Sequence, residues 1–319
     1  MRSHRYGHRS SVWRGLLPTC WLAASVLASD EGPAQTSSPG TRVVFLGTGT
    51  PRPDPKRSGP ATAIVVNGSP YLVDFGPGVV GRAVAAFDAG VRGVAVEKLD
   101  IAFVTHLHSD HTVGYPDLIF TSWIHGRKRP LRVFGPKGIE SMTSHVLRAW
   151  QADIDVRTKG FEGRDPAGPR VEAHDIEPGV VYQDSNVTVT AFPVLHGDVP
   201  QAFGYRFDTR DRTIVISGDA SPSPALVASC QRCDVLIHEA YSLEYVPATV
   251  PHWAEYRSKF HTTTAQLAEI ARQTQPKLLV LYHRGVRRAG GEISDEQYLA
   301  EIRRTYRGKV VIAHDLDVH

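Results

Sequence analysis

His106-Leu107-His108-Ser109-Asp110-His111 follows directly on the apolar run Ile101-Ala102-Phe103-Val104, and this junction decides the fold. Residues 100–105 read as a buried strand. His106 and His108 are two apart, so in extended backbone they point the same way. Asp110 and His111 come after the chain has turned toward the next helix. Imidazole and carboxylate groups packed this closely suit zinc and similar divalent ions. A polar surface turn with chance histidines would not be expected to collect four such groups at the end of a buried strand.

More ligand-type residues occupy comparable positions. His196 ends the strand-like run that begins at Val187, Asp219 follows Thr213–Ile216, and His283 follows Leu278–Tyr282. Each lies just past the C-terminal end of an apolar strand, and strand ends on one rim of a sheet can converge on a single cleft. Taken singly, His196 reads as a turn residue, Asp219 as a helix N-cap and His283 as an edge histidine. Beside the 106–111 cluster they read as further ligands.

The remaining chain alternates strand-like and helix-like stretches. Strands are expected at 42–46, 61–66, 71–74, 131–134, 187–194, 202–207, 213–217, 234–238, 277–282 and 309–313. Asn67-Gly68 is a strong hairpin signal between the second and third of these. Helices are expected at 79–89, 116–125, 137–151, 263–273 and 294–306, and residues 157–170 read as a polar Gly/Pro loop. Roughly ten strands with interspersed helices imply an α/β protein. No Pro/Gly-rich linker interrupts residues 41–319, so they read as one domain.

Composition excludes disordered, collagen-like and polytopic membrane classes, since 41% of residues are hydrophobic and 22% charged. The formal charge is +3, but Arg2, Arg5, Arg9 and Arg14 precede residue 29 with no acid among them, which leaves −1 for the rest. Bulk charge therefore makes no case for a general nucleic-acid binder. The arginines, the apolar run 15–27 and the small residues around Ala28 have the layout of a secretory signal peptide over residues 1–28. Residues 29–40 read as a flexible linker, and a periplasmic or secreted location follows, with no membrane span after the leader. Cys20 belongs to the leader. Cys230 and Cys233 are too few for a closed zinc site and suit a local disulfide or an incidental role.

The chain resembles the metallo-β-lactamase superfamily over most of residues 41–315. Leu46-Gly47-Thr48-Gly49-Thr50, Asp74, the 106–111 cluster, Gly218-Asp219-Ala220 and the late histidines carry the resemblance. It implies a single-domain αββα sandwich with metals at one edge of the sheets. It also implies one zinc on His106, His108 and His196, a second on Asp110, His111 and His283, and Asp219 bridging both, with Mn²⁺ or Fe²⁺ as alternative ions. Asp74 looks like a supporting residue behind the ligands. His238-Glu239-Ala240 and His261-Thr262-Thr263-Thr264 resemble motifs of ribonuclease Z. By that resemblance Glu239 orients His261, which assists the leaving oxygen, and Asp110, Glu239 and His261 form the catalytic set.

Two departures set the expected substrate. Ribonuclease Z carries a long arm that grips tRNA, whereas one hairpin fills residues 197–218, and a leader peptide also argues against tRNA as a partner. Residues 114–127, Phe134-Gly135-Pro136-Lys137-Gly138 and residues 178–198 look more like an exported arylsulfatase-like branch. The leading expectation is an exported di-zinc hydrolase that cleaves a small anionic ester, an aryl sulfate or a phosphodiester, by attack of a metal-bound hydroxide. The alternatives are a ribonuclease Z-like phosphodiesterase or endoribonuclease, a lactonase or thioesterase, and a non-catalytic binding protein on the same fold. A homodimer is compatible with each. Tyr115, Trp123, Phe203 and Tyr205 are candidates for an apolar substrate wall, and Arg127, Lys128 or Arg129 for an anion contact.

Overall fold

The computed structural model describes residues 40–319 except 243–251 and 289–290. The expected leader and all but the last residue of the expected linker lie outside the described residues. Among the described residues no helix is long and apolar enough to cross a membrane.

The first sheet runs in the order β1 (Thr41–Gly47), β2 (Ala61–Val66), β3 (Ser69–Val73), β4 (Ile101–Phe103), β5 (Leu131–Gly135) and β6 (Val171–Asp175). β1 to β3 form an antiparallel meander, and β3 to β6 are parallel. Asn67 and Gly68 both take positive φ in the β2–β3 turn, as a two-residue hairpin loop requires. The second sheet contains β7 (Gly179–Gln183), β8 (Val187–Pro193), β9 (Phe203–Thr209), β10 (Thr213–Ile216), β11 (Val235–Glu239), β12 (Leu278–Tyr282) and, beyond a short ribbon of β13 (Arg287–Arg288) and β14 (Gly291–Glu292), β15 (Val310–Ile312). Its order is β15-β12-β11-β10-β9-β8-β7.

Alternation along the strands makes the layers. Val43 and Phe45 of β1 join Ile214 and Ile216 of β10 and Val280 of β12 in a core between the two sheets. Val44 and Leu46 point the other way, into a core shared with α1 (Val79–Asp88) and α3 (Tyr115–Ile124). The short α2 (Ser109–Thr112) precedes α3. On the opposite face, Val215, Leu236, Leu279 and Leu281 pack against α6 (Pro224–Ser229), α8 (Thr264–Thr274) and α9 (Asp295–Ile302). The result is the expected αββα sandwich.

The structure departs from the sequence reading where burial is slight. The expected helix 137–151 is two helices, α4 (Ile139–Ala149) and α5 (Gln151–Lys159), and α5 enters the stretch read as loop. No residue of α5 is buried, so it carries no apolar periodicity, and Arg157 ties it to Asp153 and Glu162 instead. The strands β6 and β7 carry no apolar alternation in the sequence because they are edge strands with few buried positions. α6 and α7 (Trp253–Phe260) are further helices beyond those the sequence predicts. Cys230 and Cys233 form a buried disulfide just past α6.

Candidate metal centre

Strand ends from both sheets meet at one rim. β3 delivers Asp74, β4 leads to Thr105 and His106, β10 leads to Asp219, β11 ends at Glu239, and β12 leads to His283. Asp74 and His283 take left-handed φ of 59° and 44°, a conformation that side chains other than glycine rarely adopt and that persists where surroundings enforce it.

His106, His108 and His196 place one ring nitrogen each within 4.8 Å of one another. So do the ligand atoms of Asp110, His111 and His283, and those of His106, His111 and Asp219. All seven sequence-predicted ligands are thus brought together, with Asp219 between the two triads.

Hydrogen bonds behind the cluster fix which ring nitrogens face inward. The Thr105 hydroxyl has one proton, and the Asp74 carboxylate 2.9 Å away can only accept it. Thr105 Oγ1 therefore accepts from His106 Nδ1 at 3.0 Å, which leaves His106 Nε2 as a lone pair. His111 Nδ1 donates to Asp74 Oδ2 at 2.8 Å, and His196 Nδ1 donates to the Phe260 carbonyl at 2.7 Å. His196 Nε2 is likewise bare, whereas His111 turns its Nε2 toward the Asp110 and Asp219 carboxylates, 3.5 Å from each. His106 Nε2 and His196 Nε2 lie 3.0 and 3.2 Å from His108 Nδ1, so two lone pairs converge on one ring nitrogen that carries at most one proton.

Such an arrangement calls for cations. Asp74, Asp110 and Asp219 are 1%, 8% and 3% exposed, and isolated buried carboxylates are costly. His111 Nε2 and Asp219 Oδ1 are buried with no hydrogen-bond partner, although each lies 3.5 Å from the other. Burial, then the charge of His111, holds His106 well below the ordinary histidine range, and burial also lowers His108 and His196. Burial opposes the charge on His111, but Asp74 and Asp219 outweigh it and raise that ring well above its usual value. Burial opposes ionisation of Asp219 too, yet His283 and His111 hold it well below the usual carboxylate range. The donor set of nitrogen and carboxylate oxygen, the orphaned atoms and the excess of buried negative charge all fit divalent metal ions.

Glu239 and His261 stand beside this cluster. His261 Nδ1 lies 3.1 Å from Glu239 Oε1. Burial would lower His261, but Glu239 dominates and raises it to about 9. The same Glu239 oxygen accepts from Thr262 N at 3.2 Å and Ala220 N at 3.3 Å. Thr262 Oγ1 donates to the Ala220 carbonyl at 2.6 Å, and Tyr241 pairs its backbone with Thr262 O and Thr264 N at 3.0 Å each. The segments carrying Asp219, Glu239 and His261 are one hydrogen-bonded unit.

The proposed apolar wall is not at this site. Tyr115 stacks on Phe75 and bonds Thr143, Trp123 is on the buried face of α3, and Phe203 and Tyr205 lie between the sheets. Each sits on the inward face of its element, so it packs the core. Arg127 is 2% exposed and donates to the Ile119 and Arg129 carbonyls. Lys128 and Arg129 line a hollow at the β2–β3 turn, the opposite end of β3 from Asp74. The rim aromatics are instead Tyr256 and Phe260 of α7. Their rings stack at 4.2 Å, Phe260 meets His196 edge-on at 5.2 Å, and Tyr256 lies 6.0 Å from the His261 ring. The aromatic pair at i and i+4 directly before His261 was the available signal.

Comparisons with known proteins agree with this geometry. A family model described as a beta-lactamase superfamily domain matches residues 70–284. A ribonuclease Z from Mycobacterium sp. (strain KMS) is 33% identical over 243 residues, covering 76% of this chain and 83% of that protein. A ribonuclease Z from Mycobacterium avium (strain 104) is 31% identical over 278 residues, covering 86% and 96%. The short form of human tRNase Z superposes with a TM-score of 0.64 at 23% identity, over 87% of this chain and 98% of that one. These relatives overturn the expectation that tRNA is excluded as a partner. That expectation rested on a missing arm and a leader, whereas the match to ribonuclease Z extends over 76–86% of this chain. The chain belongs to the beta-lactamase superfamily, in its ribonuclease Z branch.

Proposed function

We propose that the protein is a two-metal phosphodiesterase of the ribonuclease Z type, acting on RNA phosphodiester bonds. The observation that carries this reading is the Glu239–His261 pair, 3.1 Å apart, beside seven converging ligands. It favours the ribonuclease Z alternative over the aryl-sulfate expectation, and the relatives named above bear the ribonuclease Z name.

His106, His108 and His196 would hold one zinc, Asp110, His111 and His283 the other, and Asp219 would serve both. Two such ions, when bound, polarise phosphoryl oxygens and acidify water at neutral pH. The chain's own residues do the rest. Thr105, Asp74 and the Phe260 carbonyl keep imidazole lone pairs facing inward. Glu239 holds His261 protonated through the neutral range. As the bond from water to phosphorus forms and the ester P–O bond breaks, the His261 Nε2 proton passes to the leaving oxygen.

The test is a substrate panel with zinc-loaded protein: an RNA hairpin carrying a 3′ extension, bis(p-nitrophenyl) phosphate and p-nitrophenyl sulfate. Cleavage of both phosphodiesters with the sulfate untouched is expected. Hydrolysis of the sulfate alone would overturn the reading.

A further inference from the structure

Tyr256 is a partly buried side chain on the rim that the chemistry above leaves without a task. Its ring lies against Phe260, which in turn abuts the candidate ligand His196, and it faces His261 across 6.0 Å. The backbone of α7 is fastened to the same place, since His196 Nδ1 donates to Phe260 O at 2.7 Å and Gly197 N to Lys259 O at 3.0 Å. Gly197 leaves room for this contact, because a Cβ there would stand 2.0 Å from the Phe260 ring. The position of Tyr256 relative to the cluster is therefore set by rigid parts. A phenol is a neutral O–H donor throughout the neutral range.

We propose that the Tyr256 hydroxyl donates a hydrogen bond to a non-bridging oxygen of the phosphoryl group held at the cluster, making Tyr256 a second substrate-contacting side chain beside His261. The inference rests on the phosphodiesterase reading for its substrate. The geometry suits an anionic tetrahedral group: cations would lie on one side of it, His261 on another, and a neutral donor on the α7 side. Donors to a charged oxygen form the stronger class of hydrogen bond, so loss of the hydroxyl alone is expected to weaken binding about tenfold.

The experiment compares wild type, Tyr256→Phe and Tyr256→Ala, all zinc-loaded. Affinity for inorganic phosphate is measured by calorimetry and kcat/KM with bis(p-nitrophenyl) phosphate. Tyr256→Phe should lose about tenfold in both while zinc content and Tm stay at wild-type values. A Phe variant equal to wild type, with only the Ala variant impaired, would overturn the proposal and make Tyr256 a packing residue. Wild type without phosphodiesterase activity, but with phosphate binding that falls in Tyr256→Phe, would refute the proposed function and still support the contact. Phosphodiesterase activity with unchanged phosphate affinity and kcat/KM in Tyr256→Phe would leave that function standing and overturn the contact.

Discussion

Asp74 Oδ2 lies 2.8 Å from His111 Nδ1, and the other oxygen of the same carboxylate takes the Thr105 amide at 2.8 Å. One residue thereby sets the ring orientation of His111 directly and that of His106 through the Thr105 hydroxyl. Asp74→Ala removes both constraints without touching a candidate ligand. Zinc affinity, read by competition with a chromogenic chelator, should fall roughly ten- to a hundredfold. Unchanged affinity would mean that the rings are oriented by packing alone.

Asp219 is the group shared by the two triads. Elemental analysis of zinc-reconstituted wild type should find about two equivalents per chain. Asp219→Ala should retain less than one, whereas a variant of a residue in only one triad, such as His283→Ala, should retain about one. Full activity at a single equivalent would refute the paired-metal site.

His261 is held protonated by Glu239 up to about 9. A raised value means that the acid form is present below it and is lost as pH rises through it. In Glu239→Gln the counter-charge is gone, so the alkaline limb of kcat should move to lower pH. His261→Ala should keep both metals and lose roughly 10²–10⁴-fold in kcat. That loss should be larger for alkyl than for nitrophenyl leaving groups, and equal losses would exclude proton donation.

Asp184 supports the far edge of the sandwich. Its carboxylate accepts from the Tyr71 and Tyr182 hydroxyls at 2.6 and 2.9 Å and from the Asn186 and Val187 amides. Burial opposes its charge, but the Tyr71 bond and the other donors hold it below the usual carboxylate range. Its contribution is therefore present above the unfolded carboxyl value near ~3.9 and lost as pH falls through the lower folded value. Asp184→Asn should cost about 1 kcal/mol at pH 7, a modest figure because the group faces solvent. Urea titrations should show that difference vanishing in acid.

Export is a separate proposal that rests on the arginines and apolar run of residues 1–28. The mature chain should begin near Ser29. N-terminal sequencing that recovers Met1 from a cytoplasmic fraction would refute it.

The converging side chains were legible because they sit where a buried strand stops, and both signals lie in the sequence at once: the apolar run 101–104 and then His106, His108, Asp110 and His111. Glu239 and His261 were legible only by resemblance, since nothing local says that residues so far apart share a hydrogen bond. Thr105 was invisible as a relay, because a threonine at a strand end has no distinguishing pattern. The aromatic wall was misplaced for a related reason. Tyr115, Trp123, Phe203 and Tyr205 are near ligands in sequence, but strand and helix periodicity turns all four inward. Tyr256 and Phe260 reach the rim through α7, an element with no apolar stripe long enough to announce itself.

The clamp around Glu239 has a consequence for how this molecule can diversify. Tyr241, Thr262 and Ala220 are locked to one another on either side of the stretch between β11 and His261. The residues between Tyr241 and α7 can change in length and composition while this clamp stays fixed, whereas Lys259 and Phe260 are tied to Gly197 and His196 and cannot. Substrate choice and bond cleavage are then separable traits: the first can drift ahead of α7, and the second depends on the strand ends, the clamp and the fastening of α7.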